Sequence, residues 1–230
     1  MQLFYLEHPE NEIILSAEES KHVTKVLRKK EGDILNFTDG KGGFFKAEIT
    51  VTDGRKCRLQ IVSSEQKEKE HNYHLHIAIA PTKNMDRFEW FLEKATEIGI
   101  DEITPIICDH SERKVIKTER CNKILLSAMK QSLKFHLPKL NEAISLKDFL
   151  KQDFEGNKYI AHCEEGNKTE LRTEIKEQIT LILIGPEGDF SPTEIEMALK
   201  TQYKAVSLGT SRLRTETAGI VAVHTINIIS

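Results

Sequence analysis

The sequence predicts an α/β fold with a mostly parallel sheet, preceded by a small β-rich domain. From residue 74 onward, short apolar runs alternate with amphipathic helical stretches, the pattern of a parallel sheet covered on both faces. Before residue 63, short β segments are punctuated by Asp39-Gly40-Lys41-Gly42-Gly43 and Asp53-Gly54 turns, which suit a compact barrel or half-barrel with one helix. Between the two, Ser64–Asn72 is polar and charged and has no apolar anchor, so the expected domains are 1–70 and 71–230.

In the first domain a short strand opens the chain, and Ser16-Ala17-Glu18-Glu19 is a capping box that starts a helix. Val23, Val26 and Leu27 supply its apolar face and Gly32 is the expected stop. Ile34–Thr38, Phe44–Val51 and Arg58–Val62 read as strands. In the second domain His74–Ala80 is a strand. Met85–Ile98 is a helix with Phe88, Phe91, Leu92 and Ala95 on one side and Gly99 at its end. Ile103–Ile107 follows as a strand, then helices over Glu119–Leu133 and Ser145–Lys151. Strands at Lys158–Ala161, Ile179–Ile184 and Ala205–Leu208 interleave with a helix over Pro192–Lys200, and an apolar helix over Ala218–Ile229 closes the order.

Composition narrows the function classes. The chain has 230 residues, a net charge of −3 and 30% charged residues, so no overall basic excess points to nucleic acid. Cys57, Cys108, Cys121 and Cys163 are scattered without a C-x-x-C pair, which fits a reducing compartment rather than a disulfide framework or a zinc site. The N-terminus lacks the basic and apolar blocks of a signal peptide, and Ala218–Ile229 is too short to span a bilayer. A cytoplasmic protein with no membrane partner is the expectation.

Two turns carry the chemistry. Ile184-Gly185-Pro186-Glu187-Gly188-Asp189-Phe190-Ser191 leaves a strand and enters a helix at Ser191 (cap), Pro192 and Glu194. Leu208-Gly209, followed by Leu213-Arg214-Thr215-Glu216-Thr217-Ala218, does the same before the last helix. Open α/β sheets bind ligands at such strand ends. Arg214 and Glu216 are costly to order there without a partner, either each other or a ligand. Adenine and a sulfonium would suit backbone amides with carboxylates close by. Neither turn is a G-x-G-x-x-G or P-loop sequence, and no cluster has metal-ligand spacing.

Local charge adds a candidate partner. From His110 to Leu140 eight Lys or Arg stand against two acids, and Lys21, Lys25, Arg28, Lys29 and Lys30 form a second run. Either run alone could be a solvated helix face; two runs favour backbone and shape contacts to structured RNA. Aromatic residues do not interleave with them, so base stacking is not indicated. Lys83, Arg87, Glu93 and Glu97 read best as surface pairing on a helix. His22 and His162 read as structural, and His74 and His76 as facing solvent or the layer covering the sheet.

These residues together resemble the bacterial 16S ribosomal RNA (uracil-N3) methyltransferase family, a branch of the knotted SPOUT methyltransferases. The likeness runs nearly end to end. It rests on His22-x-x-x-Val26-Leu27-Arg28, Lys83, Glu93-Lys94-x-x-Glu97-x-Gly99, Ser111-Glu112-Arg113 and Gln131-Ser132 before Pro138, and above all on the two turns. Asp189 stands where the family often has glycine, Ser211-Arg212 where an Arg before a branched apolar residue is common, and Lys134 where Arg is frequent.

The resemblance implies a PUA-like RNA-binding barrel followed by a SPOUT α/β domain with a C-terminal trefoil knot. It implies S-adenosyl-L-methionine held by Ile184, Gly185, Pro186, Glu187, Gly188, Leu208, Gly209, Leu213, Thr215, Thr217 and Ala218. Arg214 and Glu216 would be catalytic, with Glu216 orienting Arg214 in preference to taking a proton. Arg28, Lys83, Arg113, Gln131 and Lys134 would contact 16S rRNA in the small ribosomal subunit, and the enzyme would be a homodimer. Its product would be 3-methyluridine near the decoding site. The alternatives are a non-catalytic ribosome-assembly factor and a SPOUT methyltransferase acting on tRNA.

Overall fold

The computed structural model describes residues 1–53, 56–175 and 178–229. The expected Asp53-Gly54 turn lies at Gly54 outside the described residues. The chain forms two compact units. One comprises Met1–Lys69 with Met129–Leu137, the other Glu70–Ala128 with Pro138 onward. The polar stretch Ser64–Asn72 spans the change of unit at Lys69/Glu70, and Met129–Leu137, distant in sequence, groups with the first unit.

In the first unit, strands β1 (Leu3–Tyr5), β2 (Glu12–Ile14), β3 (Ile34–Thr38), β4 (Gly43–Thr52) and β5 (Cys57–Gln66) make a sheet in the order β1-β3-β4-β5-β2. Two register shifts between β4 and β5 increase its twist. Phe4, Ile13, Leu35, Phe37, Ile49 and Leu59 form its core. The capping box works as expected: Glu19 N–H donates to Ser16 Oγ at 3.2 Å and opens helix α1 (Ala17–Lys21).

The helix does not run to Gly32. It widens into a π-helical turn at His22–Val26, where Leu27 N–H reaches back to His22 O at 3.0 Å, and Arg28 then adopts φ +56°. The wider turn carries Val26 out of the expected apolar face, leaving it exposed while Val23 is buried.

Met129–Leu137 joins this unit because the glycine turn after β3 approaches it backbone to backbone. Gly42 N–H donates to Phe135 O, and Leu137 N–H to Gly40 O, both at 2.8 Å. Phe135 also packs edge-on against Phe44 at 5.2 Å. Gly42 has φ +96°, and a Cβ there would lie 2.7 Å from the Lys67 backbone carbonyl oxygen, so only glycine fits.

The second unit is built on parallel strands β6 (His74–Ile79), β7 (Glu102–Ile107), β8 (Lys139–Leu140), β9 (Ile144–Ser145), β10 (Asn157–Ala161), β11 (Thr169–Glu170), β12 (Ile179–Ile184) and β13 (Lys204–Ser207). Their order is β11-β13-β10-β12-β6-β7-β8, with β9 also pairing β7. Alternation along the central strands assigns the two faces. Ala78, Ala80, Leu181 and Leu183 pack with helices α4 (Leu146–Phe149) and α6 (Pro192–Lys200). The opposite face carries α2 (Met85–Ile98) and α7 (Thr215–Ile229), Ile79 lying against Gly219 of α7. Helices α3 (Thr118–Gln131) and α5 (Leu171–Glu174) complete the set. Strands β8, β9 and β11, two residues each, and the four-residue α5 were not foreseen; each is too short to carry a period.

α2 and α7 run side by side in the same direction: Arg87 meets Glu216, Phe91 meets Gly219, and Ile98 O accepts from Asn227 Nδ2 at 3.3 Å. Both N-termini therefore lie at the sheet edge where the strands end. A Cβ on Gly219 would stand 2.6 Å from the Phe91 ring. Gly219→Ala should destabilise the second unit by about 1–3 kcal/mol through overpacking, read as a lowered thermal midpoint.

At the other end of the strands His76, expected to face solvent or the layer covering the sheet, faces the covering layer and is buried. Its Nε2 lies 2.7 Å from Thr104 Oγ1 and its ring packs edge-on to Phe149. Burial depresses its pKa to about 4. The neighbouring Glu102 carboxyl is held well below the carboxylate range by His74, Asn141 and Lys139. The unfolded chain protonates His76 near pH 6.5 and the folded chain only near 4. Stability from this group is therefore full above pH 6.5 and is lost as pH falls toward 4, by about 3 kcal/mol. His76→Gln should flatten the denaturant midpoint across that window while leaving the Glu102-dependent loss at lower pH.

Candidate active site

Three strand ends converge with two helix starts in the second unit. A depression of about 360 Å³ is lined by Ala161 and Cys163 after β10, by Ile184, Gly185, Pro186, Glu187 and Asp189 after β12, and by Arg212, Leu213, Arg214, Thr215 and Ala218. It adjoins a second of about 380 Å³, lined by His162, Lys168, Leu208, Gly209 and Ser211 among others and sharing Ala161, Cys163, Arg212, Leu213 and Ala218 with the first. Such volumes suit a small organic ligand.

The turn after β12 is rigid for identifiable reasons. Ser191 caps α6 reciprocally with Glu194, whose buried carboxylate accepts from Ser191 N–H and Asp109 N–H, each at 2.8 Å. Ser191 Oγ donates to Asp109 Oδ2 at 2.7 Å. Asp189 N–H closes the turn onto Pro186 O at 2.9 Å, with Asp189 at φ +64°. Its carboxylate accepts from Cys163 N–H at 2.7 Å and from Phe190 N–H at 2.9 Å. An aspartate fits this position because Asp tolerates the left-handed region, and its side chain ties the end of β10 to the turn.

Thr215 Oγ1 donates to Gly185 O at 3.0 Å and joins the two turns directly. Helix α7 begins at Thr215, three residues before the sequence placed it, so Thr215 and Glu216 belong to its first turn. Arg214 is exposed, lines the first depression, and its guanidinium has no partner among the described residues. Glu216 does not orient it. Glu216 is buried at 7% exposure with Oε1 3.9 Å from Arg87 Nε, because the parallel packing of α2 and α7 puts their first turns side by side. Its Oε2 is buried without a hydrogen-bond partner among the described residues.

Of the cofactor residues implied by sequence, Ile184, Gly185, Pro186, Glu187, Leu213, Thr215 and Ala218 line the first depression and Leu208, Gly209, Leu213 and Ala218 the second. Gly188 and Thr217 line neither. Gly188 sits under His110, whose Nδ1 is 3.0 Å from the Gly188 carbonyl, and a Cβ there would lie 3.0 Å from that of His110. Sequence reasoning missed Ala161, His162, Cys163, Lys168 and Arg212 as lining residues. β10 is an apolar run ending without a glycine turn or helix cap, so its one available signal was its place as a third strand end.

The residues expected to contact RNA divide. Arg28, Gln131 and Lys134 lie in the first unit; Lys83 and Arg113 lie in the second. Lys83 Nζ pairs with Glu112 at 2.7 Å, and Arg113 donates to the carbonyls of Thr82 and Lys83. Arg120 pairs with Glu89 at 2.6 Å and Lys139 with Glu102 at 2.9 Å, so the His110–Leu140 run is not one free cationic face. Of the surface pairing expected for Lys83, Arg87, Glu93 and Glu97, Glu93 and Glu97 pair on α2 with Lys94, whereas Arg87 faces the buried Glu216 of α7 and Lys83, before the helix, pairs with Glu112.

Comparison with known proteins follows this architecture. Residues 69–227 match the family described as an RNA methyltransferase domain, and residues 15–62 the RNA methyltransferase PUA domain. The chain belongs to this RNA methyltransferase family. It is 30% identical to the ribosomal RNA small subunit methyltransferase E of Rickettsia conorii, over 95% of this chain and 91% of that one. The crystal structure of a probable rRNA-methyltransferase from Porphyromonas gingivalis superimposes with TM-score 0.94 at 42% identity, covering 100% and 98% of the two chains. That of the Neisseria gonorrhoeae ribosomal RNA small subunit methyltransferase E, bound to S-adenosyl methionine, gives 0.85 at 26% identity over 97% and 95%. Among the described residues no group of three or more His, Cys, Asp or Glu could hold a metal ion, and no helix is long and apolar enough to cross a membrane.

The Asp189 geometry is testable within this family turn. Asp189→Gly should cost about 1–2 kcal/mol, the loss of the carboxylate acceptor for Cys163 N–H alone, because glycine is unstrained at φ +64°. Asp189→Val should lose about 2 kcal/mol or more in denaturant unfolding, since a β-branched residue is strained there and Cys163 N–H loses its acceptor.

Proposed function

We propose that this protein methylates N3 of a specific uridine in 16S rRNA, near the decoding site of the small ribosomal subunit, using S-adenosyl-L-methionine. The observation that carries the reading is a pocket at three strand ends whose rim presents an uncommitted arginine, Arg214, in a chain whose relatives are small-subunit rRNA methyltransferases.

The lining suits the donor. Ala161, Ile184, Leu213 and Ala218 supply apolar walls for a flat ring. Glu187 and Asp189 stand in the same depression as Arg212 and Arg214, a mixed-charge lining that matches a ligand carrying a sulfonium, an ammonium and a carboxylate. When bound, S-adenosylmethionine supplies an electrophilic methyl group. Ile184, Gly185, Pro186, Glu187, Leu208, Gly209, Leu213, Thr215 and Ala218 would hold it. Gly188 and Thr217 would act by shaping the turn and the helix start.

The protein's own contribution is positioning and charge. Loss of the N3 proton leaves an anion delocalised over the uracil carbonyls, and Arg214 is placed to stabilise it without first breaking an ion pair. Glu216 completes the catalytic pair. Arg28, Gln131 and Lys134 on the PUA-like unit and Lys83 and Arg113 on the catalytic unit would contact rRNA, the last two after exchanging their present partners for phosphate. A trefoil knot in the C-terminal part, a homodimer and a cytoplasmic location belong to the same proposal. The exposed apolar end of α7, Ile228 and Ile229, supports the dimer.

Arg214→Ala should leave S-adenosylmethionine affinity within a few-fold by calorimetry and lower turnover by about 10²–10³-fold. Mass mapping of 16S rRNA from cells lacking the protein should show one 3-methyluridine missing. An intact modification pattern overturns the assignment. Absence of binding heat with S-adenosylmethionine favours a non-catalytic RNA-binding factor, and a lost methyl group in tRNA favours the other substrate.

A further inference from the structure

Five ionised side chains line the two depressions: the acids Glu187 and Asp189 and the cations Lys168, Arg212 and Arg214. Three of them are committed or lie to one side. Lys168 Nζ donates to the carbonyls of His162 and Glu164 at 3.0 and 2.7 Å. Glu187 Oε1 accepts from Lys83 N–H at 2.9 Å. Arg214 lines the first depression but not the second. Arg212 lines both, and it is exposed with no hydrogen bond or ion pair among the described residues.

Arg212 and Asp189 come together at Cys163, which itself lines the first depression and the second. Asp189 Oδ2 accepts from Cys163 N–H at 2.7 Å. The thiol of the same residue feels both charges: burial and Asp189 raise its pKa, whereas Arg212 lowers it. A carboxylate accepts about four hydrogen bonds, so Asp189 keeps room beyond its two N–H donors. Arg212 presents a guanidinium fork, a shape that matches a carboxylate. An acid and a base with spare capacity therefore flank one wall.

The methyl donor carries its ammonium and its carboxylate on one carbon, so the groups that receive them must stand side by side. Asp189 and Arg212 meet that condition. We propose that Arg212 holds the α-carboxylate of S-adenosylmethionine and that Asp189 accepts from its α-ammonium, the two forming a clamp on the amino-acid end of the donor. This deepens the reading above and rests on it. The clamp fixes the charged end of the donor at the wall common to both depressions and leaves the neutral adenosine to apolar and backbone contacts. Arg214 stays free for the charge that develops on the uracil ring. The two arginines on either side of Leu213 thus divide between donor and substrate.

The test is calorimetry on the full-length protein with four probes. S-adenosylmethionine and S-adenosylhomocysteine carry the whole amino-acid end. Decarboxylated S-adenosylmethionine lacks only the carboxylate, and methylthioadenosine lacks the entire end. Arg212→Met, at an exposed site, should keep the wild-type thermal midpoint. It should weaken the first two probes about tenfold, the worth of a hydrogen-bonded charge pair, and leave the other two within about twofold. Asp189→Asn keeps an acceptor for Cys163 N–H and tolerates the left-handed backbone. It should weaken the three probes that carry the ammonium about five- to tenfold and leave methylthioadenosine within about twofold. An equal loss across all four probes in either variant overturns the clamp, because the residue then only shapes the wall. Wild-type donor affinity in Arg212→Met with weakened binding of small-subunit rRNA assigns this arginine to phosphate and overturns the carboxylate role. Carboxylate selectivity that disappears in Arg214→Ala instead overturns the division between the two arginines. If the wild type binds none of the four probes, the underlying functional reading has failed instead.

Discussion

The hydrogen bond from Thr215 Oγ1 to the Gly185 carbonyl is the constraint on which the site depends. It spans thirty residues of sequence and closes two strand-to-helix turns against each other, so the walls of the depression are set by one buried contact rather than by loop preference. Each turn is stiff on its own account: the first through the Ser191–Glu194 box and Asp189, the second through the immediate start of α7. Joined, they leave little freedom for the residues between them, and a binding site assembled this way loses little entropy when a ligand arrives.

The sheet supplies the frame for that contact. Central strands β12 and β6 are buried on both faces, and their alternating side chains face α4 and α6 on one side and α2 and α7 on the other. Close approach of α7 is possible because Gly219 offers no side chain toward Phe91. The same approach brings the first turns of α2 and α7 together and seats Glu216 in a nearly dry environment. A packing requirement of the core thus decides the chemical setting of an acid at the site edge.

Much of this was legible in the chain. Helix α2 carries its Gly99 stop in the sequence and α6 its Ser191-Pro192 start with Glu194, and the bounds of both were read to the residue. Strand β12, apolar but for Thr180, was equally plain. Features set by distant partners were not legible. For His76 the alternation leaves solvent and the covering layer both open, and Phe149 and Thr104, from distant segments, decide for the cover. Glu216 looked like a partner for Arg214, two residues away, but i and i+2 diverge on a helix, and the charge it meets belongs to α2. The basic run from His110 to Leu140 looked continuous because charge counting ignores which acids fold back onto it.

The one stretch that crosses the linear order, Met129–Leu137, sets a schedule for biogenesis. A nascent polypeptide released at Lys69 holds all five strands of the N-terminal sheet but lacks the segment that pairs with Gly40 and Gly42. That unit stays unfinished until about seventy further residues have left the ribosome, by which time the opening strands of the second sheet are also available. Assembly of the two units is thereby interleaved in time, and an expression fragment ending at the apparent linker would carry an uncovered glycine turn and a Phe44 without its Phe135 ring partner.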